Sequence, residues 1–115
     1  MITCQTRINR YQKLMTATQW KQCVQQNKTR DSKTNKPIVK FFNPRGAATW
    51  LISEIEQDGI AFGLCDLGFG CPELGYVSLD ELVSIGYLER DLYFKANKTL
   101  VEYADEARCC GSIRS

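Results

Sequence analysis

Apolar side chains recur at intervals of three and four residues over residues 2–27, a spacing typical of an amphipathic helix. The spacing holds around Leu14 and again around Trp20. Thr16 and Thr18 lie between these two stretches, and either side chain is a suitable N-cap. One broken helix and two short helices are therefore both compatible with this pattern.

The pattern changes to β-prone runs from residue 38 onward. Residues 38–42 and 49–55 are rich in branched and aromatic side chains, and the turn Asn-Pro-Arg-Gly separates them. An Asp-Gly pair then predicts a hairpin that leads into residues 60–65. In this third run large and small side chains alternate, and we expect the small side to face the N-terminal helix.

Three local signals follow one another between residues 73 and 94. Residues 73–77 are β-prone, and Ser78 with Glu81 three positions later has the spacing of a capping box. Gly86 is suited to end the short helix in a left-handed conformation. Strand composition returns over residues 88–94, so strand, helix and strand are predicted in that order.

A last short helix is predicted where Thr99 and Glu102 repeat the capping-box spacing, and the polar tail after Gly111 is expected to fray. Together the elements predict an α+β fold. Its four- or five-stranded, mainly antiparallel sheet packs against the N-terminal helix, with short helices near residues 78–85 and 99–107. We expect one domain over residues 1–115, made of a helical segment at 1–27, a basic loop at 28–37, a sheet core at 38–94 and a C-terminal helix and tail at 95–115.

Length and hydropathy fit this single domain. The chain has 115 residues and is 43% hydrophobic, enough for one modest core. Its apolar runs are far shorter than the roughly 20 residues that cross a bilayer, and the N-terminus lacks the apolar stretch of a signal peptide. We therefore expect a cytoplasmic protein with no membrane partner.

The formal net charge of +2 hides a division along the chain. Residues 1–45 carry ten Lys or Arg against one acid, whereas residues 46–115 carry five basic and twelve acidic side chains. Such a division can steer a charged partner onto one face, or the two parts can pair internally. Both interpretations stay open at this point.

The basic loop at 28–37 is the densest positive stretch, and phosphate contacts there would weaken with salt. No aromatic residue is interleaved to stack on a base. This loop therefore predicts one of two functions, and we treat it as the alternative to the protein-binding function described below. It is that of a nucleic-acid-binding accessory domain that uses the basic segment 7–45. The positive charges of the loop are Lys28, Arg30, Lys33 and Lys36.

Candidates for catalysis are few. The chain has no His, which removes the usual general base and the usual catalytic triad. Six Cys lack the ligand spacing of a zinc knuckle, and we expect reduced thiols, no metal and no cofactor. Glu89, Arg90 and Asp91 form the densest charged cluster, in which Glu89 and Asp91 would share one face of a strand. A structural ion pair is one interpretation of this cluster, and a small enzyme site is the other.

Aromatic residues near acidic ones indicate a protein-binding surface. Rings that reach the surface can serve as anchors, and neighbouring charges can steer a partner. We predict Phe69, Tyr76 and Tyr87 as anchors, with Glu89 and Asp91 as the charged rim.

The segment from Val39 to Phe94 resembles an uncharacterised small-domain family, a domain of unknown function found widely on bacterial plasmids, phages and other mobile elements. The matching pieces, in order, are VKFFNP, TW, FGL, ELGYVSLDEL and ERDLYF. The family carries no established catalytic residues. The resemblance implies a non-enzymatic accessory protein of a mobile element, in the cytoplasm of a bacterial host. Its expected partner is a host protein or nucleoprotein complex, such as a CRISPR-type defence complex that it would inhibit.

Overall fold

A computed structural model describes residues 14–31, 33–56 and 58–115. The helical positions predicted before residue 14 lie outside this part of the chain. Within it the helices are α1 (Ala17–Asn27), α2 (Leu79–Ile85) and α3 (Leu100–Cys110). The strands are β1 (Val39–Phe42), β2 (Thr49–Ile55), β3 (Ile60–Asp66), β4 (Glu73–Ser78) and β5 (Glu89–Arg90).

The five strands form one sheet in the order β4-β3-β2-β1-β5, and every neighbouring pair is antiparallel. The central hairpins pair Phe41 with Trp50 and Leu51 with Leu64. β4 and β5 lie at the two edges. The predicted α+β fold, with its antiparallel sheet, N-terminal helix and two short later helices, is confirmed.

Each face of the sheet carries its own core. On one face Trp20 and Cys23 of α1 and Leu82 of α2 pack with a cluster that includes Phe41 and Ala61. The small side of β3 therefore faces the N-terminal helix, as predicted. On the other face α3 packs over Leu51 and Leu64, and its buried side chains are Leu100, Tyr103, Ala104 and Ala107.

A β-bulge in β2 keeps the apolar residues on both sides of it on the sheet face that packs against α1. The register shifts between Ile52 and Glu54, so that Ile52 and Ile55 both enter the cluster beneath α1. Opposite the bulge the backbones approach so closely that a Cβ on Gly63 would lie 2.0 Å from the carbonyl oxygen of Leu51. Only glycine fits at position 63 without moving the backbone.

The helix ends follow the capping signals in the sequence. Thr16 caps α1: its hydroxyl accepts from the Gln19 N–H at 3.1 Å, and its own N–H donates to Gln19 Oε1 at 2.9 Å. Thr99 and Glu102 form the same reciprocal box on α3. Gly86 ends α2 with a φ of 84°. The choice between Thr16 and Thr18 is thus resolved in favour of Thr16.

The strand predicted over residues 88–94 is wrong in length, because β5 contains only Glu89 and Arg90. Asp91 turns the chain away from the sheet: its Oδ1 accepts from the Tyr93 N–H at 2.9 Å, and its carbonyl oxygen accepts from the Phe94 N–H at 3.3 Å. A carboxylate that bonds the backbone two residues later forms such turns readily.

The C-terminal tail is anchored rather than free as far as Ile113. The Ile113 N–H donates to Oδ2 of the buried Asp66 at 3.1 Å, and the Ile113 side chain packs against the core beneath α3. The expectation that the tail frays from Gly111 does not hold for this residue, since a buried carboxylate on β3 holds it.

Candidate functional site

The predicted binding residues do not form one patch. Phe69 lies in the loop between β3 and β4, and Tyr76 lies on the edge strand β4. Glu89 and Asp91 lie at the opposite edge, next to Tyr87. Four strand spacings of about 4.8 Å separate the two edges, a distance of roughly 19 Å. A single small contact surface therefore cannot include all of them.

Tyr87 lies at the end of the sheet that carries the β1–β2 turn. The guanidinium carbon of Arg45, in that turn, lies 4.9 Å from the centre of the Tyr87 ring. This is a cation–π contact, and it fixes the exposed ring against the turn. The ring thus has an internal partner, which leaves only part of it for an external one.

Glu89 and Asp91 have different surroundings. Asp91 Oδ2 forms an ion pair with Nζ of Lys40, on the adjacent strand, at 3.7 Å. Glu89 pairs with Phe42 across the strands, and its side chain is exposed. Asp91 therefore forms the structural ion pair with a neighbouring element that was one interpretation of this cluster. The exposed Glu89 side chain can still contact a binding partner.

An open groove of about 540 Å³ runs along β5, and we call it the β5 groove. Phe42 and Leu88 contribute apolar walls, and Leu92 and Tyr93 contribute the most exposed side chains. Leu92 is 71% exposed and Tyr93 is 93% exposed. Large apolar groups left in water beside a groove are a common mark of an interaction site.

Arg90 also lines the β5 groove. Its Nη1 atom is buried and has no hydrogen-bond partner. A buried donor without an acceptor is costly, and native structures contain few of them. This N–H lies beneath the surface, so a ligand in the groove could accept from it only after the Arg90 side chain moves.

Sequence reasoning missed Leu92 and Tyr93 as site residues, because strand composition over 88–94 implied that they were part of the sheet. Asp91 was the available signal for a turn that ends the strand, since an Asp side chain can accept from the backbone N–H two residues later. Trp50 shows the opposite case: this aromatic residue is buried in the core. The type of side chain alone did not separate surface rings from core rings.

The loop between β3 and β4 presents two further apolar side chains. Phe69 is 84% exposed, and Leu67 beside it is largely exposed as well. Between them Gly68 has a φ of 89° and packs against Ala47 of the β1–β2 turn, and its N–H donates to Asp66 Oδ1 at 2.9 Å. The loop is therefore folded against its neighbour, with Phe69 directed outward.

The basic loop is held in place by a buried amide at its base. Asn35 Nδ2 donates to Glu54 Oε1 at 2.9 Å and to the Gln26 carbonyl oxygen at 3.2 Å. The Asn35 carbonyl oxygen accepts from the first N–H of α3, that of Leu100, at 2.9 Å. The polar composition of this loop gave no sign that Asn35 would be buried.

The four basic side chains predicted for nucleic acid are all exposed, at Lys28, Arg30, Lys33 and Lys36. Arg30 forms an ion pair with Glu56 at 3.3 Å. Together with the pair between Lys40 and Asp91, this joins the basic and acidic parts of the chain. Some of the charge division is thus paired internally, as one of the two interpretations expected.

The thiols differ in burial. Burial, with a smaller effect from Glu54, raises the pKa of Cys23 far above its usual range. Burial also raises the pKa of Cys65. The five described cysteines, at 23, 65, 71, 109 and 110, are free thiols. Within residues 14–31, 33–56 and 58–115 no group of three His, Cys, Asp or Glu side chains is arranged to hold a metal ion.

No helix in the described part of the chain has the length and apolar character to cross a bilayer. Comparison with known proteins gave one family match, to the family described as protein of unknown function DUF2958, over residues 12–114. Neither a curated protein nor a solved structure matches the chain. Because the family match spans nearly the whole sequence, the chain belongs to the DUF2958 family of proteins of unknown function.

Proposed function

We propose that this protein is a small non-enzymatic accessory protein of mobile genetic elements that binds a host protein or nucleoprotein complex through the β5 groove. Such a partner in a bacterial host cell would be a defence complex of the CRISPR type, which the protein would inhibit by occupying its surface. The observation that supports the proposal most is the exposure of Leu92 and Tyr93 on the β5 groove.

The groove contains the groups that a protein interface uses. Tyr and Arg are enriched among residues that dominate binding energy, and apolar anchors work best near a desolvated centre. Complete burial of a side chain such as Leu92 contributes roughly 1.5–3 kcal/mol.

The anchors sit on a backbone that is already ordered. The Asp91 N–H donates to the Lys40 carbonyl oxygen at 3.0 Å, and the Asp91 side chain fixes the turn at Tyr93. The ion pair with Lys40 holds the same carboxylate. A contact surface fixed in advance loses less conformational entropy on binding.

Affinity capture from a bacterial host lysate tests the proposal, with purified captured protein then titrated by calorimetry. We expect Tyr93→Ala to weaken binding by roughly tenfold or more, as loss of an aromatic anchor does. Phe69→Ala is the matched control, because Phe69 is similarly exposed but does not line the β5 groove. Equal affinity of the two variants for the captured protein would exclude the β5 groove as the binding site.

The second candidate is a nucleic-acid-binding accessory domain that uses the basic segment 7–45. The exposure of Lys28, Lys33 and Lys36 on one loop favours it. This function predicts binding to random-sequence DNA with affinity that falls steeply with salt. Replacement of all four basic loop residues by Ala would flatten the salt dependence, whereas Tyr93→Ala would leave it unchanged.

A further inference from the structure

The edge strand β4 offers backbone groups that no other strand uses. The Leu79 N–H donates to the Gly59 carbonyl oxygen at 3.0 Å, and these two residues lie directly opposite each other at the end of the β3–β4 pair. Hydrogen-bonded positions alternate along an antiparallel ladder. The backbone groups of Gly75 and Val77 therefore point to β3, and those of Leu74 and Tyr76 point away from the sheet.

The outward backbone groups of this edge lack partners in the described part of the chain. The β3–β4 ladder does not use the N–H or C=O of Leu74 or Tyr76, and outside the ladders no hydrogen bond joins them to another described group. The Tyr76 side chain is 64% exposed, and the place that a Cβ on Gly75 would occupy, on the face of the strand, is open space. An unpaired edge of this kind is a template for one more strand.

The two edges of the sheet differ in this respect. β5 has two residues, and the Asp91 turn leads the chain away after them. β4 has six residues and no Lys within it. Short strands, Lys and Pro are the usual protections of a sheet edge, and only β5 is protected by its length. The β4 edge is therefore the one that can accept an extended segment.

Charge limits what that segment can be. The sequence has no Lys or Arg between Arg45 and Arg90. Glu73 begins β4, and Glu81 lies in the first turn of the helix that follows it, with both side chains exposed. The basic residue of α3, Arg108, is paired with Asp105 of the same helix at 3.3 Å. Within β4 and α2, every charged side chain is acidic.

We propose that β4 binds an extended, basic segment of a partner protein as a sixth strand of the sheet. Backbone hydrogen bonds to Leu74 and Tyr76 would supply affinity, as in other cases of strand addition. Glu73 and Glu81 would favour Lys and Arg in the segment. A second copy of this chain is a poor occupant, because its β4 edge carries no Lys or Arg to pair with Glu73 and Glu81.

The side chains on β4 also indicate how apolar and basic residues would alternate along the partner segment. Tyr76 lies opposite Phe62, and their rings meet edge to face with centroids 5.0 Å apart. An added strand would place every second side chain on the face that carries Leu74 and Tyr76. The segment is therefore one in which apolar residues alternate with basic ones.

The test uses the full chain, labelled with ¹⁵N, and an eight-residue peptide of alternating Lys and Val. We expect the peptide to slow hydrogen exchange of the Leu74 and Tyr76 amides, and its affinity to fall with salt. A peptide of alternating Glu and Val is the control and should bind at least roughly tenfold more weakly. Equal binding of the two peptides, no binding, or protection elsewhere would overturn the proposal.

Two variants at position 76 separate the contribution of the backbone N–H to binding from that of the side chain. Tyr76→Pro removes an N–H that points away from β3, so the ladder is kept and Pro is tolerated at such an edge position. We expect this variant to bind the Lys/Val peptide roughly tenfold more weakly than Tyr76→Ala, which keeps the N–H. Equal affinity of the two would contradict strand addition. Should Tyr76→Pro unfold, amide protection in the unaltered chain decides the question.

Homodimerisation gives a distinct result. Protection of the Leu74 and Tyr76 amides without peptide, with a mass that doubles as concentration rises, would mean that a second copy occupies the edge and would refute the proposal. Tyr93→Ala serves as a further control, since the β5 groove lies at the other edge of the sheet. We expect it to leave peptide binding unchanged.

Discussion

Asn35 Nδ2 donates to Glu54 Oε1 at 2.9 Å, and both side chains are buried between the basic loop and the sheet. The bond connects a loop of otherwise polar, exposed residues to β2. It also gives a buried carboxylate its hydrogen-bond donor, without which burial of the charge would be costly.

Replacement of Asn35 by Ala should therefore destabilise the fold by about 2–3 kcal/mol, because it leaves the Glu54 carboxylate buried without that donor. Urea unfolding followed by circular dichroism measures the change. Thr34→Ala is the matched control, since Thr34 is exposed in the same loop. Similar stabilities of the two variants would show that the buried bond contributes little.

Gly63 tests the close approach at the β-bulge. A Cβ at this position would lie 2.0 Å from the Leu51 carbonyl oxygen, so Gly63→Ala should cost about 3 kcal/mol or more. Gly75→Ala is the control, because open space surrounds that position and the change should be nearly neutral. Thermal melts of both variants give the comparison, and a stable Gly63→Ala protein would rule out the bulge geometry.

The α3 capping box predicts a pH effect. Hydrogen bonds from the Thr99 N–H and hydroxyl lower the pKa of Glu102 below its usual value of 4.5. A carboxyl whose pKa is lower in the folded state stabilises the fold above its unfolded pKa and loses this contribution as pH falls through the folded one. The stability of the unaltered chain relative to Glu102→Gln should therefore be constant at neutral pH and decline below about pH 4.5. Melting temperatures against pH measure it, and an unchanged difference at pH 3 would contradict the box.

Thiol reactivity should separate Cys23 from the surface cysteines. Cys23 is buried in the core with a raised pKa, whereas Cys71, Cys109 and Cys110 are exposed. Only a thiolate reacts readily with iodoacetamide. We expect brief alkylation at neutral pH to modify the three exposed thiols and spare Cys23, as read by peptide mass spectrometry. Early modification of Cys23 in folded protein, at the rate seen in urea, would refute its place in the core.

Local signals in the sequence were sufficient to predict much of the fold. Thr99 with Glu102 and Gly86 act at the helix ends where their spacing placed them, because capping depends on residues only a few positions apart. The alternation of small and large residues in β3 likewise predicted which side faces α1, since Ala61 packs in the cluster of Trp20.

Features that depend on distant partners were not predictable in this way. The polar Asn35 is buried because it meets Glu54, nineteen positions away in the sequence. The tail is held at Ile113 because Asp66, on β3, offers a carboxylate oxygen. At the candidate site, the turn at Asp91 exposed Leu92 and Tyr93 although their composition favours a strand.

The central claim is that the protein acts by contact through the β5 groove, and site-specific photo-cross-linking in living host cells tests it most directly. A photoreactive amino acid at position 92 replaces a side chain that is 71% exposed beside the groove. The same probe at position 33 reports on the basic loop. We predict one discrete host-protein adduct from position 92 and none from position 33. Adducts with nucleic acid from position 33, and none with protein from position 92, would contradict the account.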